Sequence, residues 1–127
     1  MASRSFDLVK ALLKGATVIA GSFRPNGAGA IDNTLNRGSK GWSVARTNVG
    51  QYTITLEDGF PSLAAVIGMT QLNAAADGNI QGRGAFDVTT AKTFVLENLA
   101  GAAPTEIVSN ANNWVHFVAV LKNSEIS

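Results

Sequence analysis

Two stretches of strict alternation, separated by a three-residue turn, constrain this chain more than any other feature. In Gln51-Tyr52-Thr53-Ile54-Thr55-Leu56, Tyr52, Ile54 and Leu56 share one side while Thr53 and Thr55 share the other. Trp42-Ser43-Val44-Ala45-Arg46-Thr47 alternates in the same way, and Asn48-Val49-Gly50 between them supplies turn residues. A period of two is the strand period. The pattern predicts an antiparallel hairpin with one dry and one wet face.

The rest of the chain carries the same signature. Ala16–Phe23 is rich in β-formers and ends at Arg24-Pro25-Asn26-Gly27, a turn. Gly27 to Gly41 follows as a glycine-rich loop of about fifteen residues, longer than most connections and therefore either mobile or pinned. Leu63–Leu72 fits helix or strand by its pattern, and its β-branched Val66, Ile67 and Thr70 favour strand. Asn73–Asn79 reads as a turn around Asp77-Gly78. Strands are predicted at Ile80–Val88, Thr93–Leu99 and Asn113–Lys122, with a Gly/Ala/Pro connection at Ala100–Thr105. The last strand carries Trp114, Val115, Phe117, Val118, Val120 and Leu121, so it is apolar on both faces and belongs in the middle of a sheet. Roughly seven short, evenly spaced strands predict an all-β fold, a β-sandwich of jelly-roll or Greek-key type.

One short α-helix precedes them. Ser5 is suited to the N-cap, Asp7 to the first turn, Lys14 to the last and Gly15 to the left-handed position beyond it. Phe6, Val9 and Leu13 share a face that Leu8 and Leu12 widen. So short a helix is marginal alone in water and must dock on something. The expected organisation is an N-terminal helical arm over residues 1–15 and a sandwich domain over 16–127.

Composition narrows the function. Of 127 residues, 46% are hydrophobic and 15% charged, which supports a core and argues against disorder. Net charge is +1 and the basic residues are scattered, so the footprint of a nucleic-acid binder is missing. So little charge suggests a surface partly covered by a partner. There is no cysteine, which excludes disulfides, thiolate metal sites and cysteine nucleophiles. No continuous apolar run reaches the length of a membrane span, and the N-terminal residues do not read as a signal peptide, so the chain is expected to be unprocessed and soluble.

Catalytic motifs are scarce. His116 is the single histidine, set in the most apolar strand, and reads as a packed or paired strand residue rather than a ligand or base. No G-x-S-x-G elbow positions a serine beside it. Glu57 and Asp58 are adjacent, so as strand residues they point to opposite faces. Asp77-Gly78-Asn79 lacks the spacing of a calcium loop, and neither Gly27-Ala28-Gly29 nor Ser39-Lys40-Gly41 completes a phosphate-binding motif. Arg24, Arg46 and Arg83 with Trp42 and Trp114 could form an aromatic-basic surface for a glycan or, less expected, a nucleic acid, though aromatics at alternating strand positions are more often core. The reading is a non-enzyme without cofactor or metal.

The hairpin Gly41-Trp42-Ser43-Val44-Ala45-Arg46-Thr47…Gly50-Gln51-Tyr52-Thr53-Ile54-Thr55-Leu56 resembles one that recurs in small virion proteins of tailed bacteriophages. The short helix, the Gly21-Ser22-Phe23-Arg24-Pro25-Asn26-Gly27 turn and the closing Asn112-Asn113…Leu121-Lys122-Asn123-Ser124 extend the likeness over most of the chain. Among such proteins the chain is most similar to capsid decoration, or cement, proteins. The resemblance implies a homo-oligomer, trimer before dimer, on the outer surface of the capsid and in contact with the major capsid protein. It implies no nucleic-acid or membrane partner. Phe6, Leu8, Val9, Leu12 and Leu13 of the arm, with Arg24, Asn26 and Arg37 of the loops, are the expected contacts. The rival expectation is a tail-fibre or collar head that binds a cell-surface glycan through Trp42 or Trp114.

Overall fold

A computed structural model of the chain describes residues 16–76 and 78–122. The expected helical arm, with Phe6, Leu8, Val9, Leu12 and Leu13, lies outside the described residues. So does Asp77.

The described chain is all-β: β1 (Ala16–Phe23), β2 (Arg37–Gly38), β3 (Trp42–Asn48), β4 (Gln51–Leu56), β5 (Ser62–Gln71), β6 (Asn79–Asp87), β7 (Thr93–Ala100), β8 (Ala103–Pro104) and β9 (Trp114–Lys122). A single 3-10 turn, Asn33–Leu35, interrupts the strands. Two antiparallel sheets form, in the orders β2-β1-β9-β5 and β3-β4-β7-β6, with the short β8 beside β7. The expected hairpin is present as β3 and β4, in the register Val44↔Ile54 and Arg46↔Tyr52. The strand apolar on both faces, β9, is central, paired with β1 on one side and β5 on the other.

The sheets pack face to face because alternation gives each one apolar side. Ile19 and Phe23 of β1 and Val115, Phe117, Ala119 and Leu121 of β9 point inward from the first sheet. Val44, Tyr52, Ile54, Leu56, Phe94 and Leu96 meet them from the second. Phe117 contacts Phe94 edge-on at 6.0 Å between ring centroids and Trp42 at 4.8 Å, and Phe23 lies 5.2 Å from Tyr52, so aromatic contacts run between the layers. Gly21 lies beneath Trp42: a Cβ there would stand 2.3 Å from the indole.

The glycine-rich loop before the hairpin is pinned. Gly27 N–H donates to Ile107 O at 2.8 Å, Ser39 N–H donates to Ala20 O at 2.7 Å, and Asp32 accepts from Thr34 N–H at 3.0 Å. Gly38 sits at φ +93 with the Ala20 carbonyl 2.3 Å from where a Cβ would be, so only glycine lets β2 come this close to β1.

Candidate interaction face

The outward side of the first sheet draws residues far apart in sequence into one surface. Outward side chains alternate with the buried ones, so β1 presents Val18, Ala20 and Ser22, β9 presents His116, Val118 and Val120, and β5 presents Ala65, Ile67 and Met69. The register aligns them in rows: Val18↔Val120↔Ala65 and Ala20↔Val118↔Ile67. These rows are wholly apolar; Ile67 is 70% exposed, and Met69, beside His116 in the adjoining row, is 59% exposed. Val18 and Val118 are exposed as well.

The next rows are polar and aromatic. Ser22 Oγ lies 2.6 Å from His116 Nδ1, and His116 Nε2 lies 2.8 Å from Gln71 Oε1. A ring protonated at Nε2 satisfies both contacts, donating to Gln71 and accepting from the Ser22 hydroxyl. Arg37 pairs in register with Ser22, and its guanidinium carbon stands 4.1 Å from the Trp114 ring centroid. Arg24 approaches the same ring at 5.9 Å. Trp114 is itself buried, with its indole N–H donating to Ala111 O at 3.0 Å. Two guanidinium groups on one indole make a cationic corner at the end of an apolar floor.

Of the sequence-predicted contacts, the structure therefore brings Arg24 and Arg37 together over Trp114. Asn26 is exposed and shapes its own turn, donating from Nδ2 to Ala30 O at 3.0 Å. Lys122, the next outward position on β9, borders the apolar rows, whereas Arg46 and Arg83 are paired elsewhere. Arg46 Nε bonds Glu106 Oε2 at 2.8 Å, and Glu106 Oε1 accepts the Gly50 N–H at 2.6 Å, which fixes the hairpin turn. Arg83 Nη1 bonds Glu97 Oε2 at 2.6 Å. Trp42 packs on Phe117 and donates from Nε1 to Ser39 O at 2.6 Å.

Glu97 was invisible to pattern reading. It sits in an apolar strand on the outer face of the second sheet and is 1% exposed. Its cover is a single layer: Gln51 Nε2 donates at 2.9 Å and Gln81 Nε2 at 3.4 Å, beside Arg83. The Arg83 hydrogen bond holds its carboxyl below the usual range, opposed by partial desolvation and helped by Gln51 and Gln81. Burial pushes the Tyr52 phenol the other way, up to about 12.

The chemistry open to these groups is limited. Ser22, His116 and Gln71 form a hydroxyl–imidazole–amide chain, but the amide carries no charge to stabilise an imidazolium as a carboxylate would. The chain also lies on an open sheet face. A separate cleft of about 270 Å3 between Leu72, Ala74, Ala76, Ile107 and Val108 is mainly apolar, and the Asn98 side-chain oxygen beside it has no partner. Among the described residues no group of three His, Cys, Asp or Glu comes close enough to share a metal ion, and no helix is long and apolar enough to cross a membrane. No protein-family model, curated protein or solved structure matches the chain.

Proposed function

We propose that the chain is a structural, partner-binding protein: a capsid decoration protein of a tailed phage, attached to the outer surface of the head through the major capsid protein. The observation that carries this reading is the outer face of the first sheet, where three strands present Val18, Val118, Ile67 and Met69 to solvent with no charge among them. Isolated exposed apolar residues are ordinary, but a contiguous patch of this kind marks a surface that is covered in use. Arg24, Arg37 and Trp114 at its margin have the composition of an interface anchor. The resemblance of the hairpin to virion proteins supplies the setting.

We read the connectivity as jelly-roll or Greek-key in type. In support, the first and last long strands are neighbours, and the chain changes sheets between β2 and β3, β4 and β5, β5 and β6, and β8 and β9. The glycan-binding alternative draws no support from the tryptophans, because Trp114 is buried and Trp42 leans on Phe117.

The test is co-sedimentation of the purified protein with expanded heads that lack it. Wild-type protein is expected to saturate the heads, and Ile67→Asp to remain in the supernatant while keeping its circular dichroism spectrum. Equal binding by both proteins would move the contact off this face, and binding by neither would remove the decoration reading.

A further inference from the structure

A sandwich of two open sheets has four edges, and three of them here are blocked. On β3, the Asn33 side chain occupies the free side of Val44, donating from Nδ2 to Val44 O at 3.0 Å and accepting from Val44 N–H at 2.8 Å. On β1, the two-residue β2 pairs with Gly21 and Ser22, and Ser39 takes both Ala20 N–H and Ala20 O. On β6, the ladder to β7 breaks after Arg83, Gly84 turns the backbone at φ +71, and Arg83 and Asp87 bring charge. These are the devices by which proteins keep sheet edges from pairing.

The fourth edge has no capping side chain and no charge, and its one irregularity lies at its start. β5 is ten residues long, Ser-Leu-Ala-Ala-Val-Ile-Gly-Met-Thr-Gln, without charge or proline. After a bulge near Ala64 it runs in unbroken register against β9 from Ala65 to Gln71. Among the described residues, its backbone makes no hydrogen bond beyond that ladder. The same strand carries the two most exposed large apolar side chains of its sheet, Ile67 and Met69.

We infer that β5 pairs antiparallel with β5 of a second copy about a two-fold axis at Gly68. The sequence is self-complementary there. With Gly68 opposite Gly68, Ile67 faces Met69 of the other copy on the outer side, and Val66 faces Thr70 on the inner side. A two-fold contact requires this property, since residue i must accept j wherever j accepts i. No like charges meet across the axis because the strand has none. Backbone bonds provide the pairing and the Ile67–Met69 contacts add cross-strand packing. The two first sheets then join into one, and their apolar outer faces become continuous. This assigns two-fold symmetry, in place of the trimer that the resemblance favours. It is independent of whether the dimer decorates a capsid.

Light scattering on the full chain in solution, without capsids, tests it. A mass twice the 13.2 kDa of one chain is expected, falling to one chain in the double variant Ile67→Lys, Met69→Lys with an unchanged circular dichroism spectrum. Because the chain has no cysteine, single-cysteine variants report the register. Ile67→Cys mixed with Met69→Cys should give an oxidised covalent dimer, and each variant alone should give far less, since residues offset along paired strands exceed disulfide reach. A single-chain mass at roughly 100 μM, where even weak specific dimers form, overturns the inference. So does a three-chain mass, a dimer that survives both lysines, or cross-linking that does not depend on mixing.

Discussion

Truncating Ile54 to alanine removes three carbons from the centre of the second sheet, where the side chain lies in register between Val44 on β3 and Phe94 on β7 and is fully buried. The lost transfer free energy is about 0.8 kcal/mol per carbon, or roughly 2.4 kcal/mol. The site is fully enclosed in the core cluster beside Val44 and Phe94, so a cavity term adds to this and brings the total to about 3.5 kcal/mol. For a domain of this size that corresponds to a fall in Tm of roughly 12 °C, and to a parallel shift of the urea midpoint at unchanged slope. The control is Ile67→Ala, the same chemical change on the opposite side of the other sheet. Its side chain is 70% exposed, so its cost in the isolated chain should stay below about 0.5 kcal/mol at concentrations where copies do not associate. Paired urea titrations of the two variants decide the matter. Equal losses, or a larger loss at Ile67, would refute the assignment of inner and outer faces on which the interaction surface depends.

Three further perturbations follow from local geometry. Gly50→Ala should destabilise by about 2 kcal/mol or more in urea unfolding, because φ is +64 and a Cβ would stand 2.7 Å from Thr105 O. Asn33→Ala should cost about 1.5 kcal/mol by the same assay, with Asn33→Asp intermediate because it keeps the acceptor for Val44 N–H and loses the donor to Val44 O. Glu97 has a folded pKa below its unfolded value, so its contribution is complete above the unfolded value near 4.5 and is lost as pH falls through the folded one. Stability followed from pH 7 into acid should therefore decline less steeply in Arg83→Ala than in wild type, with a loss of about 1 kcal/mol at pH 7.

The hairpin and the central position of β9 were legible because alternation and two-faced apolarity are local signals. β5 was legible only with its neighbours: its pattern fits helix or strand, and the β-branched Val66, Ile67 and Thr70 decided it. The site was less so. Ser22 meets His116, and Arg24 meets Arg37 over Trp114, through the pairing of β1 with β9 and β2, and a sequence does not display strand partners. The two-faced apolarity of β9 shows that both of its sides favour burial but not by what. The inner side is covered by the second sheet, whereas Val118 on the outer side remains exposed. Glu97 had no signal at all, since its partners Gln51, Gln81 and Arg83 are assembled by the register of three strands.

Cryo-electron microscopy of phage particles with and without this gene, complemented by the Ile67→Asp variant, tests the functional claim most directly. Regular knobs are expected on the outer capsid surface of the wild-type particle, absent after deletion and not restored by the variant, with the outer face of the first sheet turned towards the shell. Particles whose capsids are identical in all three cases, or knobs that attach through the second sheet, would contradict that claim.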